Sequence, residues 1–223
     1  MSASPASARL REEVADAARR LAAAGLLIGT AGNVSARAGD RIAITATGVA
    51  LGSCTAADVT VVAPDGTVLD GTLAPTSELS LHLGVYADRP DQAAAVVHTH
   101  APFATAVACV LDALPVLHYQ QLALGGEIRV APYATFGTAE LAAGVRTALE
   151  GRSAALLANH GSVTLGGTLD AAVESALLLE WLCQLHHRAS ALGTPRVLTE
   201  EQQADVVRAA IERGYGIPRK ASG

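Results

Sequence analysis

Lysine is nearly absent from this chain. Of its 16 basic side chains only Lys220, in the last four residues, is a lysine. Chemistry that forms an imine with a carbonyl needs a buried amine, so that route is excluded. Cysteine is also sparse. Cys54, Cys109 and Cys183 are odd in number, widely spaced and without a Cys-x-x-Cys pair. This excludes a disulfide framework and a thiolate zinc site, and it predicts a reducing cytoplasm. Aromatic residues make up 3% of the chain, so the core must be built from Ala, Leu and Val. No basic stretch offsets the net charge of −5, which leaves nucleic-acid binding unsupported. No apolar run reaches the ~18 residues of a membrane span. Ala171 to Leu182 comes nearest, but Glu174 and Glu180 interrupt it. Met1 to Arg11 lacks the basic-then-apolar plan of a signal peptide. Neither G-x-G-x-x-G after a first strand nor a Walker loop is present, which argues against nucleotide binding.

What is there suffices for one domain over 1–223, since half of the residues are hydrophobic. Leu10, Val14, Ala17, Ala18 and Leu21 recur at helical spacing, which predicts an amphipathic helix over 6–24. Arg41 to Thr45 and Val59 to Val62 read as strands, the first after a Gly39-Asp40 hairpin turn. Ser77 to Ala87 reads as a helix capped by Thr76 or Ser77. A central strand over Ala94 to His98 precedes a helix over Pro102 to Val110. Further on, Ile128 to Val130 reads as a strand and Thr138 to Leu149 as a helix. Strands over Ala154 to Ala158 and Val163 to Leu165 flank an Asn159-His160-Gly161 turn. Helices over 169–191 and 199–213 complete the chain. Helices and strands alternate irregularly and hairpins occur, so a mainly antiparallel sheet between helices is expected.

His98-Thr99-His100 carries the strongest chemical signal. Residues at i and i+2 of a strand face one side, so both imidazoles can grip one ion. His160, beside Gly161, supplies a third. Three histidines with one open position suit a catalytic zinc. Neutral imidazoles are needed, so metal should leave below about pH 6. Thr76-Ser77-Glu78 places two hydroxyls and a carboxylate at an expected helix start, where amides and the helix dipole favour phosphate. Asn33 and Thr47-Gly48 lie in similar small, polar turns. Taken one at a time, each of these segments also reads as a plain cap or turn.

Several segments occur in a telling order: Gly29-Thr30-Ala31-Gly32-Asn33-Val34-Ser35, Thr45-Ala46-Thr47-Gly48, Thr76-Ser77-Glu78, His98-Thr99-His100-Ala101, His118-Tyr119, Gly125-Gly126, the run Ala131 to Thr138, and Asn159-His160-Gly161. Over roughly residues 8–216 the chain resembles the class II aldolase family of fuculose-phosphate aldolase, ribulose-phosphate 4-epimerase and the adducin head, the first branch most of all. The resemblance implies a three-layer α/β/α sandwich with a mainly antiparallel sheet, one class II aldolase domain over the whole chain. It implies one zinc per subunit held by His98, His100 and His160, with Glu78 both a ligand at rest and the catalytic acid/base. Asn33, Thr47, Gly48, Thr76 and Ser77 match a substrate-phosphate pocket. Tyr119 and Tyr215 match aromatic residues that complete the site across a subunit boundary in a homotetramer. The implied activity is retro-aldol cleavage of a ketose 1-phosphate, such as fuculose 1-phosphate or 5-deoxyribulose 1-phosphate, to dihydroxyacetone phosphate and an aldehyde through a zinc-stabilised enediolate. The family's alternatives are 4-epimerisation of a sugar phosphate, decarboxylation of a sugar-acid phosphate, or a non-catalytic adducin-like module. The epimerases tend to carry Asp in place of Glu78, and the adducin-like heads lack the full metal set. Ala46, Thr76 and Asn159 depart from residues common in the family, the last being His in some relatives.

Overall fold

A computed structural model describes residues 5–214. Nine strands form one sheet in the order β4-β3-β2-β1-β5-β9-β8-β7-β6. Their ranges are β1 Asn33–Ala38, β2 Arg41–Thr45, β3 Val59–Val62, β4 Val68–Asp70, β5 Ala95–Thr99, β6 Ala113–Leu114, β7 Ile128–Ala131, β8 Ala154–Leu157 and β9 Gly161–Gly166. Every named pair is antiparallel except β7–β8. Six α-helices accompany the sheet: α1 Pro5–Ala23, α2 Leu79–Asp88, α3 Pro102–Ala108, α4 Ala139–Ala148, α5 Leu169–Leu192 and α6 Glu200–Arg213.

The alternation of strand side chains divides the core in two. Val34, Ala36, Val97 and Leu156 point to one face, where Val14, Leu21, Ala104, Val107, Val173 and Leu179 of α1, α3 and α5 cover them. Ile42, Ile44, Val96, Leu157 and Val163 point to the other, under Leu81 and Val85 of α2 and Leu141 and Val145 of α4. The result is the expected α/β/α sandwich, packed mainly with small aliphatic side chains.

Local chemistry explains most boundaries. Gly39, at φ 62°, makes the two-residue β1–β2 turn that sets Ala38 opposite Arg41. Thr138, Thr168 and Thr199 each accept a backbone N–H at the start of α4, α5 and α6. Two short edge strands, β4 and β6, were not expected from the sequence, and they are too short to show a period. The start of α2 also differs from expectation. It begins at Leu79, two residues after Ser77, and Glu78 occupies the cap position with no side-chain capping bond. Pairing with the end of β2 causes the delay: Ala46 bridges Pro75, and Thr76 N–H donates to the Thr45 carbonyl. These bonds keep 74–76 extended.

Candidate metal centre and substrate cleft

The site lies at the C-terminal end of β5, the middle strand of the sheet. Asn33 at the start of β1 pairs with His98, and Val163 of β9 pairs with His98 from the other side. By alternation Asn33, Ser35 and His98 face α2. Glu78, His82 and Tyr86 descend along α2 at i, i+4 and i+8, a stripe that faces this polar strip of sheet.

His98, His100 and His160 bring their ligand nitrogens within 4.8 Å of one another. The Nε2 atoms of His98 and His100 are 3.0 Å apart. Tetrahedral zinc with Zn–N bonds of about 2.0–2.1 Å requires N···N spacings near 3.3 Å, so the cluster has the right scale. The tautomer of His98 is set from behind: its Nδ1 lies 3.0 Å from the Ser162 carbonyl and donates to it. That leaves a lone pair on Nε2, which faces Glu78 Oε2 at 3.1 Å. A lone pair against an acceptor-only carboxylate requires a proton or a cation between them. Glu78 Oε1 is buried with no hydrogen-bond partner and lies 3.6 Å from His160 Nε2. Three imidazoles and an orphaned carboxylate oxygen fit a divalent cation.

Charge balance follows from the same contacts. Burial alone pushes the Glu78 carboxyl up. The polar groups facing it, His98 first, then the Asn33 amide and His160, outweigh burial and hold the group well below the usual carboxylate range. Its place at the positive end of α2 acts in the same sense. Burial, with His98 and His160 adding to it against Glu78, pushes His100 down to about 4. His160 is lowered by burial and by His98. Both rings are therefore neutral near pH 7, as metal ligands must be.

In front of the cluster opens a cleft of about 530 Å³. Its lining brings together Asn33, Thr47, Gly48, Thr76 and Ser77 with Glu78, His100 and His160. His98 lies beneath, fully buried. Tyr133 and Phe136, both largely exposed, form an aromatic part of the wall. Neither Lys nor Arg lines this cleft among the described residues, so an anion there would rely on hydroxyls and amides. Asn33 has a second contact that sequence reading missed: its Nδ2 donates to Glu78 Oε2 at 2.9 Å. Thr76 Oγ1 accepts the Glu78 N–H at 3.3 Å.

The Asn159-His160-Gly161 turn works differently from the sequence expectation. Asn159 is the left-handed residue, at φ 55°. Gly161 opens β9, and its role is space: a Cβ there would lie 2.2 Å from the Thr99 carbonyl oxygen. Tyr119 starts a 3-10 turn over Tyr119–Leu124, stacks on His118, and lies outside the cleft lining. Tyr215 falls outside the described residues. His82 and Tyr86, which the sequence reading missed, had one signal in the sequence, their four-residue spacing from Glu78, and Ser35 stood in the Gly29–Ser35 segment with no role assigned.

Comparison with known proteins agrees with this geometry. Residues 12–187 match the family described as Class II Aldolase and Adducin N-terminal domain. A 5-methylthioribulose-1-phosphate/5-deoxyribulose-1-phosphate aldolase of Rhodospirillum rubrum is 41% identical over 199 residues, covering 89% of each chain. An L-fuculose phosphate aldolase of Escherichia coli strain K12 is 39% identical over 89% of this chain and 93% of its own. A solved L-fuculose 1-phosphate aldolase superposes with a TM-score of 0.86 at 32% identity, covering 93% of this chain and 97% of that one. With sequence, fold and cleft residues in agreement, the chain belongs to the class II aldolase family.

Proposed function

We propose that the protein is a zinc-dependent aldehyde-lyase, acting as one class II aldolase domain, that cleaves a ketose 1-phosphate to dihydroxyacetone phosphate and an aldehyde. The observation that carries this reading is one cleft that joins the histidine cluster and Glu78 to the small polar side chains of Asn33, Thr47, Thr76 and Ser77. The relatives act on 5-deoxyribulose and fuculose phosphates, as their names state. Sugars of that kind are the proposed substrates.

His98, His100 and His160 would hold the zinc, with Glu78 beside it. Bound there, the ion supplies Lewis-acid stabilisation of charge growing on the substrate's C2 oxygen. Asn33, Thr47, Gly48, Thr76 and Ser77 hold the phosphate and keep C3 in register with Glu78. In cleavage the C3–C4 bond breaks and its electron pair stays on C3. Glu78, ionised at rest, takes up a proton from water in the cleft and passes it to C3 in cleavage. It removes that proton from C3 in synthesis, so that the proton given to C3 balances the one released from the C4 hydroxyl. The C4 hydroxyl loses its proton as it becomes the aldehyde. Tyr119 and Tyr215 are assigned to that end, given across a subunit boundary in a homotetramer. Tyr119 and Trp181 are both exposed and both meet the His118 ring, an aromatic surface that supports this assignment. Tyr133 and Phe136 give the cleft an apolar wall suited to a deoxygenated sugar tail. Three unpaired cysteines accord with a reducing cytoplasm.

The test is direct. Zinc-loaded protein is given 5-deoxyribulose 1-phosphate and fuculose 1-phosphate, and dihydroxyacetone phosphate is measured with a coupled dehydrogenase. Release that stops on chelation and returns with zinc is expected. An epimerised or decarboxylated product, or no release from any ketose 1-phosphate, refutes the assignment.

A further inference from the structure

Behind Glu78 and Asn33 runs a buried chain of polar groups, His82, Ser35 and Tyr86, that no step above uses. Asn33 Oδ1 lies 2.5 Å from His82 Nε2. His82 Nδ1 lies 2.7 Å from Ser35 Oγ, which in turn lies 2.7 Å from Tyr86 OH. His82 and Ser35 are fully buried and Tyr86 almost so. Neither His82 nor Tyr86 lines the substrate cleft.

The donors and acceptors of this chain permit one direction only. The ionised Glu78 carboxylate accepts and cannot donate, so Asn33 must turn its amide nitrogen toward it. Asn33 Oδ1 then faces His82, and the ring must carry its proton on Nε2. His82 Nδ1 is left as an acceptor, and the Ser35 hydroxyl donates to it. Ser35 Oγ accepts in turn from Tyr86. Every link is a donor pointing toward Glu78. The opposite His82 tautomer would flip the Asn33 amide and set its carbonyl oxygen against the carboxylate, two acceptors 2.9 Å apart.

We propose that His82 is a positioning residue: held by Ser35 and Tyr86 as its Nε2–H tautomer, it fixes the Asn33 amide so that Nδ2 grips Glu78 Oε2 and Oε1 is left to face the histidine cluster. Its consequence for turnover rests on the aldolase reading given above, with Glu78 as the group that moves the proton at C3. Asn33 lines the cleft and holds Glu78, so the relay joins the substrate pocket to the acid/base through one amide. A loosened carboxylate costs catalytic geometry more than ground-state binding, because a displacement near 1 Å lowers rate by about 10²-fold.

Two measurements test this. Nitrogen-15 NMR of the metal-free protein at pH 7 reports the tautomer of His82 without any activity. Protonated Nε2 with bare Nδ1 is expected, and the Nδ1–H tautomer overturns the proposal even if His82 variants fail to fold or the protein cleaves no ketose phosphate. The second measurement compares His82→Asn, which is too short to reach Asn33, with His82→Gln, whose amide can still donate to Asn33 Oδ1. Per bound metal, His82→Asn should lower kcat by about 10- to 100-fold with KM changed by less than about threefold, and His82→Gln should recover kcat to within about threefold of wild type. Wild-type kcat in His82→Asn, or equal loss in both variants, overturns the positioning role.

Discussion

Replacing Gly161 with alanine should perturb the proposed metal centre without touching any of its three histidines. The added Cβ would lie 2.2 Å from the Thr99 carbonyl oxygen and 3.4 Å from His100 Cα. An ordinary C···O contact is about 3.3 Å, so the start of β9 must retreat from β5 by about 1 Å. The obstacle is backbone in the middle of the sheet, held by the pairing of Thr99 with Ser162 and His98 with Val163, and it cannot rotate aside. His160 is the residue before Gly161, whereas His98 and His100 stay with β5. The retreat therefore changes the spacing within the ligand set by about 1 Å, several times the roughly 0.2 Å that a metal site tolerates. The expected result is metal affinity reduced by at least about 10- to 100-fold, the scale found when outer supports of a metal site are lost. Overpacking should also destabilise the fold by about 1–3 kcal/mol, or about 2–4 °C in Tm per kcal/mol. Competition against a chromogenic chelator measures the first effect and calorimetry the second. Gly52→Ala is the control, because its Cβ would meet only Ala22 at an ordinary 3.6 Å. A Gly161→Ala protein with wild-type affinity and Tm would refute the argument that close strand approach sets the ligand geometry.

Other expectations follow from the same contacts. Glu78→Gln keeps the side-chain shape but cannot take up the proton, so turnover should fall by about 10²–10⁴-fold while metal analysis still finds the three-histidine site filled; near-normal turnover removes Glu78 from the proton transfer. His100 is pushed down to about 4 and His160 lowered, so metal should persist below the pH 6 expected from free imidazoles and leave as pH falls toward 4, read by equilibrium dialysis. In the metal-free protein the same shifts act on stability. An unfolded chain takes up protons near pH 6.5 that the folded rings refuse, so Tm should fall as pH drops from about 6.5 toward 4. Cleavage of free ketoses should be at least ~10²-fold less efficient than of their 1-phosphates, and Asn33→Ala with Ser77→Ala should shrink that preference; a full preference in the double variant places the phosphate elsewhere.

The parts of the fold legible in the sequence were those governed by local rules. β2 and β3 lie where the sequence places strands, β2 by its alternation, and α4 and α6 begin right after Thr138 and Thr199, the residues at which the sequence starts those helices. The parts not legible depend on distant partners. β4 and β6 exist because a neighbouring strand pairs with them. The delayed start of α2 reflects the bridge between Ala46 and Pro75, about thirty residues apart in sequence. At the site, the histidines and the five small polar residues could be singled out because each lies in a recognisable segment. The link from Asn33 to Glu78 and on to His82 could not, because it depends on which face of β1 meets which stripe of α2. Gly161 shows the same limit. Its sequence context suggests a turn, while its function is to let two strands approach closely.

The scarcity of aromatic residues has a practical consequence. Trp181 is the only tryptophan in the chain, and only four tyrosines accompany it. Its indole meets the His118 ring edge-on at 5.0 Å, and that ring lies tilted against Tyr119 at 4.5 Å. The protein thus carries one dominant fluorophore, placed beside the tyrosine assigned to a neighbouring subunit's site. Any event that shifts Tyr119 or His118, the proposed subunit association among them, will alter the environment of this indole, giving an emission signal that needs no added label.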